Sequence, residues 1–250
     1  MHLRENRDSS EMQVLQGAKF VDWLPPWLPI FLRDLTDEDF LRCAKNTGNV
    51  LDYEDKLQTR WNCCGKLRAG VSCKGYYCVH HTKTVVGHGA SAWKKAKLAL
   101  SSLEDLKTSF SKAKVCGPLE PGTPVLISFR ILFLRTVVAN RLLYVDDSEG
   151  QFSKPVVSPC LQNKVSRYEE SMKPIQRMAV GWGTTRRHLL RGEELVAIEL
   201  RKNGQVTFEI SSFSVASHPL TFLLTPFTQA LQRKFAKDAT DTVKQIISQP

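Results

Sequence analysis

The stretch ELVAIELRKNGQVTFEISSFS, residues 194–214, contains two runs of alternating residues on either side of Lys202, Asn203 and Gly204. Alternation with a period of two places every second side chain on one face of a strand. Asn-Gly between two such runs favours a tight turn, because both residues tolerate positive φ. The stretch therefore predicts a β-hairpin with one face directed towards a core.

A long amphipathic helix is predicted directly after this hairpin, over residues 219–247. Its basic residues Arg233, Lys234 and Lys237 lie away from the apolar stripe, and Pro226 is expected to kink the first turns. Apolar residues at helical spacing form that stripe: Leu220, Leu223, Phe227, Leu231, Phe235, Ala239, Val243 and Ile246. We expect Phe227, Leu231 and Phe235 to be buried against the sheet, near Phe208 and Ile210.

Upstream of the hairpin, runs rich in β-branched and aromatic residues predict three more strands, at 125–134, 137–145 and 178–185. Residues 148–176 are predicted to form a polar loop. Gly181 and Gly183 indicate a bend or bulge in the last of these strands.

Two helices are predicted before the strands. Residues 91–106 have an amphipathic pattern with Ser91 as candidate N-cap, and residues 34–56 predict a short helix with Thr36 as N-cap. The order of a helix, antiparallel strands and a long C-terminal helix predicts an α+β fold in which a curved antiparallel sheet grips that helix. We divide the chain into a Trp/Pro-rich extension at 1–33 and a helix-grip-like domain at 34–250, with an irregular cysteine-rich loop at 57–83.

Several segments, in this order and spacing, resemble an uncharacterised protein family numbered 0548 that occurs in plants and bacteria. No single motif is specific, but their shared order is. The segments are VVGHGASAWKKAKLAL at 85–100, PGTPV at 121–125, NRLLYVDD at 140–147, GWGTT at 181–185 and SSFSVASHPL at 211–220.

That family is similar to the helix-grip superfamily, which includes the birch-pollen allergen, START lipid-transfer domains and aromatic polyketide cyclases. The resemblance implies an apolar ligand cavity between sheet and long helix, which we expect Phe208, Ile210, Phe227, Leu231 and Phe235 to line. It implies no particular reaction, since the superfamily contains binders and a minority of enzymes. We therefore expect a non-catalytic protein that binds a hydrophobic ligand or serves as a protein-docking module, with no cofactor.

The candidates for catalysis are His188, Glu193 and Glu194. A histidine and a carboxylate that line one cavity can carry out acid–base chemistry, so an enzyme is a further hypothesis. Arg186 and Arg191 lie beside them in the sequence, and a solvated turn with ion pairs explains the same residues. The sequence leaves both interpretations open.

Thiol and imidazole groups crowd into nineteen residues, as Cys63, Cys64, Cys73, Cys78, His80 and His81. Zinc sites usually use two closely spaced ligand pairs, and this spacing is irregular. We expect free thiols in a loop and no stoichiometric zinc.

Seven cysteines, an odd number, argue against a closed disulfide framework and suit a reducing compartment. The sequence contains no apolar run long enough to span a bilayer and no secretory signal pattern. We expect an intracellular protein, either cytoplasmic or in a mitochondrion or plastid.

The partner hypothesis concerns residues 20–32, where Trp23, Trp27 and Phe31 lie among prolines. Such a segment is suited to docking on a protein, a ribonucleoprotein or a membrane surface, and packing on its own domain is the alternative. The net charge of +10 adds attraction to polyanions. An accessory subunit of a large assembly, such as an organellar ribonucleoprotein, is therefore the alternative function. Its basic faces would be Lys94, Lys95, Lys97, Lys107, Lys112 and Lys114, and Arg233, Lys234 and Lys237.

Overall fold

The computed structural model describes residues 30–31, 35–45, 51–52, 59, 78–131, 134–149, 173–185, 188, 190–217 and 225–250. In chain order the elements are β1 (Ile30–Phe31), α1 (Asp37–Lys45), β2 (Cys78–His88), α2 (Gly89–Ser101), a 3-10 helix (Glu104–Leu106), β3 (Ser111–Val115), β4 (Pro124–Ile131), β5 (Leu134–Glu149), β6 (Pro174–Thr184), β7 (Leu190–Arg201), β8 (Gln205–Ala216) and α3 (Thr225–Ser248).

The strands form one antiparallel sheet in the order β2-β8-β7-β6-β5-β4-β3, and β1 pairs with β5. The main hydrophobic core combines side chains from the concave face of this sheet with side chains of α2, the 3-10 helix and α3. The sheet thus curves around the C-terminal helix, which confirms the predicted helix-grip fold. The hairpin of β7 and β8 is also confirmed, with Gly204 at φ 82° in its turn.

Only the C-terminal half of α3 packs in the core. Phe235 is 7% exposed and lies edge-on to Phe129, whereas Phe227 is 48% exposed and Leu231 is half-buried. The prediction that Phe227 is buried is therefore wrong, because the helix extends beyond the apolar part of the concave face. Pro226 is the second residue of α3, where a missing N–H removes no helical hydrogen bond, and the predicted first turn at 219–224 lies outside the described residues.

The short helix α1 packs on the convex face, where Phe40 joins Leu126 and Val137 in a separate core cluster. Its N-cap is Thr36, as predicted. The Thr36 Oγ1 accepts the Asp39 N–H at 3.3 Å, and the Asp39 carboxylate accepts the Thr36 N–H at 2.8 Å, which is a reciprocal capping arrangement. The helix is shorter than the predicted range 34–56, since Leu51 instead forms a β-bridge with Thr185.

The second helix also differs from its predicted limits. It begins at Gly89, with His88 rather than Ser91 as N-cap, because Gly89 adopts φ 82° and its N–H reaches the carbonyl of Gly204 at 2.8 Å. It ends at Ser101 instead of residue 106. The 3-10 helix that follows turns the chain so that Leu106 remains buried.

Two strands lie where none was predicted. Cys78–His88 occupies the end of the predicted irregular loop 57–83, and it pairs along its length with β8. Ser111–Val115 pairs with β4. Both ends of the predicted loop 148–176 are strands, since β5 continues to Glu149 and β6 begins at Pro174, and residues 150–172 lie outside the described residues. The strands β2 and β3 were missed because their many polar residues obscure the alternation of apolar and polar residues that predicts a strand.

The bulge predicted in the strand of Gly181 and Gly183 lies instead in its neighbour β5, between Leu142 and Tyr144 and opposite Gly181. The Tyr144 ring covers Gly181 so closely that an added Cβ would lie 2.2 Å from the Cζ atom of the ring. Because Tyr144 is itself buried, the ring has little room to move away. Glycine is therefore required here by a close approach of side chain to backbone.

Gly181→Ala is expected to lower the free energy of unfolding by about 2–3 kcal/mol, the cost of forcing extra volume into a packed site. Urea denaturation measures the change. In a Tyr144→Ala background the ring is absent, so the same substitution should cost less than about 1 kcal/mol. Equal costs in the two backgrounds would show that Tyr144 is not the reason for the glycine.

Candidate functional site

One end of the concave face carries polar side chains instead of apolar ones. His80 of β2 pairs with Ser212 of β8, which pairs in turn with Glu194 of β7. Residues paired across neighbouring strands share a face. Val196, two residues after Glu194, belongs to the main core, which identifies this face as the concave one. The polar groups thus lie in a row on the inner surface of the sheet.

Asn140 of β5 faces the same interior. Val138 and Leu142, two residues before and after it, both belong to the main core, and Asn140 itself is 3% exposed. Its side-chain Nδ2 is enclosed and has no hydrogen-bond acceptor. Since an amide nitrogen without an acceptor is rare in a protein interior, this donor is available to something other than the chain.

Asp105 enters the interior from the 3-10 helix. It is fully buried between Leu103 and Leu106 of the core, and neither of its carboxyl oxygens makes a hydrogen bond of good geometry. Burial raises the pKa of Asp105 to about 7, although the backbone amides of Asp105 and Leu106 lie near enough to oppose the shift. This carboxyl therefore changes its charge near neutral pH.

Glu194 is the second interior acid, and we call Asp105 and Glu194 the interior acidic pair. Burial, and then the negative charge of Asp105, raise the pKa of Glu194 to about 8. Its Oε1 is enclosed without a hydrogen-bond partner. The side chain as a whole is nevertheless only half-buried, although protein surrounds it.

The arrangement offers two carboxyls that exchange protons near neutral pH, next to an apolar core. Such groups can accept or donate hydrogen bonds to a bound molecule, or move a proton. Sequence reasoning identified Glu194 but missed Asp105 and Asn140. Both were detectable, since Asp105 falls between Leu103 and Leu106 of an apolar stripe and Asn140 shares the strand face of Val138 and Leu142.

The three predicted catalytic residues occupy different environments. Glu193 lies on the convex face, where its carboxylate accepts hydrogen bonds from the N–H and the hydroxyl of Thr59, both at 3.0 Å. The Thr59 hydroxyl also bonds Tyr144 at 2.9 Å. Glu194, the next residue, faces the opposite side of the sheet. The two glutamates therefore cannot serve one site.

His188 is engaged with its own turn. Its Nδ1 accepts the N–H of Leu190 at 2.9 Å, and burial lowers the pKa of His188 to about 4. The ring is therefore neutral at physiological pH, with its proton on Nε2. The hydrogen bond between His188 and Leu190 stabilises the turn that leads into β7.

Half of the predicted thiol and imidazole cluster, Cys63, Cys64 and Cys73, lies outside the described residues. His80 and His81 are adjacent in β2 and so point to opposite faces. Burial, followed by the charge of Arg233, lowers the pKa of His80. In the part of the chain that the structure describes, no three His, Cys, Asp or Glu residues are grouped as a metal site requires.

The predicted docking residues Trp23 and Trp27 also lie outside the described residues. Phe31 belongs to β1, whose backbone pairs with Arg135 and Thr136 of β5, so the backbone of residues 30–31 is held by the chain's own sheet. None of the helices within the described ranges has an apolar stretch as long as a bilayer crossing needs.

Much of the charge on the predicted basic faces is paired with acids. Each pair is solvated and contributes little to stability, but it reduces the local positive field. The pairs are Lys97 with Asp147 at 2.8 Å, Lys107 with Glu104 at 3.0 Å, Lys114 with Asp37 at 2.6 Å, Lys234 with Asp238 at 2.6 Å and Lys237 with Asp241 at 3.0 Å.

Comparison with known proteins agrees with the resemblance seen in the sequence. A family model described as a domain of unknown function, DUF1990, matches residues 64–242. A UPF0548 protein of Arabidopsis thaliana is 28% identical over 170 residues, which cover 68% of this chain and 73% of the relative. A UPF0548 protein of Deinococcus radiodurans is 26% identical over 163 residues, 61% of this chain and 69% of the relative.

Among solved structures, that of Ara h 8.0201 superimposes with a TM-score of 0.40 at 9% identity, and the alignment covers 69% of this chain and 98% of that protein. Both values are low, and nothing about a ligand or a reaction follows from them.

Proposed function

The chain belongs to the family described as a domain of unknown function, DUF1990, and we propose that it binds a hydrophobic small molecule without transforming it. The molecule would lie between the concave face and α3, with its polar part at the interior acidic pair. The observation that carries this proposal is that Asp105, Glu194 and Asn140 all have enclosed polar atoms without hydrogen-bond partners.

Leaving such atoms unpaired is costly, since each buried group without a partner destabilises the fold by about 1–3 kcal/mol. Packing alone does not explain three such unpaired groups on one interior surface, because each of them destabilises the fold. A bound molecule with complementary polar atoms would satisfy them, and the surrounding apolar side chains would contact the rest of it. Glu194 keeps part of its surface accessible, which supports access of a small molecule to this end of the sheet.

The residues that line the proposed ligand site differ in part from those expected from the sequence. Phe208, Ile210 and Phe235 are buried in the main core and remain candidates for the apolar wall, and Leu231 is half-buried. Phe227 is exposed, so a role for it would require contact at the mouth of the site.

Catalysis through His188 is less well supported, because its Nδ1 is occupied and the ring is neutral. The accessory-subunit alternative is also less well supported. Phe31 pairs with the chain's own sheet, and five of the relevant lysines are in ion pairs. Turnover of the retained ligand would favour an enzyme, and recovery of a macromolecule instead of a small molecule would favour a subunit.

The proposal is tested by adding Nile red, a neutral apolar dye, to the purified protein. We expect one dye per chain and quenching of Trp182, which pairs with Glu194 across β6 and β7. Ser212→Leu should weaken binding about ten-fold or more by filling the site, while Ser211→Leu, on the opposite face of the same strand, should not. Native mass spectrometry of the wild-type protein should also show a retained small molecule. Absence of dye binding and of a retained ligand would contradict the proposal.

A further inference from the structure

The interior acidic pair has no positive partner in the described part of the chain. The charge that acts on Glu194 is that of Asp105, and burial dominates the pKa of both groups. Without a cation, burial keeps these acids protonated up to about neutral pH, because an ionised carboxylate would lose its hydration without compensation. Other proteins place a lysine or an arginine beside such groups.

The titratable groups that face this end of the sheet from neighbouring elements supply no positive charge at neutral pH. They are His80 on β2, which is affected by Arg233 of α3; Asp52, whose carboxylate accepts the Thr184 hydroxyl at 2.6 Å; and the neutral His188. The nearby lysines of α2 are bound as well, Lys97 to Asp147 and Lys95 to the carbonyl of Ile247 at 3.3 Å.

We infer that the ligand is a hydrophobic primary amine whose ammonium group binds to Asp105 and Glu194; this rests on the proposed function of the same site. Three enclosed carboxyl oxygens lack a donor: Oδ1 and Oδ2 of Asp105 and Oε1 of Glu194. An ammonium group has three N–H donors and one positive charge, so it would donate hydrogen bonds to these oxygens and balance the charge of one ionised carboxylate.

A divalent metal ion fits the site less well than an amine. Calcium takes six to eight oxygen ligands, and magnesium requires near-octahedral geometry. Within the described residues no third carboxylate, cysteine or histidine is grouped with the interior acidic pair. The apolar side chains of the core would instead contact a hydrocarbon or aromatic body attached to the amine.

The decisive experiment compares two probes of nearly equal shape, 2-(1-naphthyl)ethylamine and 2-(1-naphthyl)ethanol, by isothermal titration calorimetry. At about pH 7.5 the amine should bind at least ten-fold more tightly than the alcohol, a difference of about 1.4 kcal/mol. Its affinity should rise between about pH 6 and pH 8.5, as the carboxyls ionise, whereas the alcohol's should stay level. Titrations in two buffers of different ionisation enthalpy should show proton release for the amine.

The matched variant is Asp105→Asn combined with Glu194→Gln, which keeps the shapes of both side chains. The ratio of the two affinities should fall below about two-fold, because neutral amide side chains do not distinguish an ammonium group from a hydroxyl by charge. Equal or tighter binding of the alcohol by the wild-type protein would overturn the amine assignment and leave the proposed function standing. Binding of neither probe would overturn the amine assignment as well, and together with a negative Nile red titration it would overturn the proposed function.

Discussion

Phe235→Ala should lower the free energy of unfolding by about 3–5 kcal/mol, whereas Phe227→Ala should change it by less than about 0.5 kcal/mol. The two phenylalanines lie eight residues apart on α3, with 7% and 48% of their surfaces exposed. Removing Phe235 leaves a cavity beside Phe129, whose ring centroid is 6.3 Å away. Removing Phe227 takes away a side chain that is already half in water.

Chemical denaturation of the two variants and the wild-type protein measures both changes, and equal denaturant dependence of the free energy confirms that the unfolded states are comparable. Since the residue type and helix are the same, the comparison isolates the effect of position. A large loss for Phe227→Ala would show that the N-terminal half of α3 is packed more closely than its exposure indicates.

Replacing Asp105 by asparagine should stabilise the ligand-free protein increasingly as the pH rises. The folded-state pKa of Asp105 is about 7, compared with 3.8 for an unperturbed aspartate. Between these values the unfolded chain ionises while the folded chain keeps its proton, so the wild-type protein loses stability as pH rises and the loss levels off above about pH 7. An asparagine side chain does not ionise, so the Asp105→Asn variant should gain about 2–4 kcal/mol relative to wild type between about pH 4.5 and pH 8.5.

Glu194→Gln should show the same trend, extended to about pH 8, the folded-state pKa of Glu194. The matched control is Glu104→Gln, because Glu104 precedes Asp105 in the same turn but its side chain is exposed and paired with Lys107. Urea unfolding over this pH range gives the difference for each variant. If Asp105→Asn and Glu104→Gln had the same pH dependence, Asp105 would not be buried as the structure shows.

The parts of the fold that could be predicted are those determined by neighbouring residues. The β7–β8 hairpin depends on Asn203-Gly204 and on alternation within twenty residues, and the cap of α1 depends on Thr36 and Asp39. β2 was missed because its pattern is polar, and its strand conformation is stabilised by pairing with β8 far along the chain. Local propensity does not contain that information.

The position of Phe227 shows a second limit of the sequence. Helical spacing predicts that Phe227 shares an apolar stripe with Phe235, but spacing does not say how far the sheet extends along the helix. The interior acidic pair shows a third limit of prediction from the sequence. Asp105 and Glu194 are 89 positions apart in numbering, and their proximity follows only from the way the 3-10 helix turns inward over the concave face.

The pairing of β2 with β8 also affects how the protein folds. His81 pairs with Ser211, so about 130 residues must be synthesised before the second strand of the pair emerges from the ribosome. Contacts between such distant segments slow folding, because a long loop has to close first. The β7–β8 hairpin can form early, but β8 then has a free edge until β2 arrives. During that interval β2 of another chain can pair with the same edge, so exchange of this strand between chains is the characteristic route of misassembly for this topology.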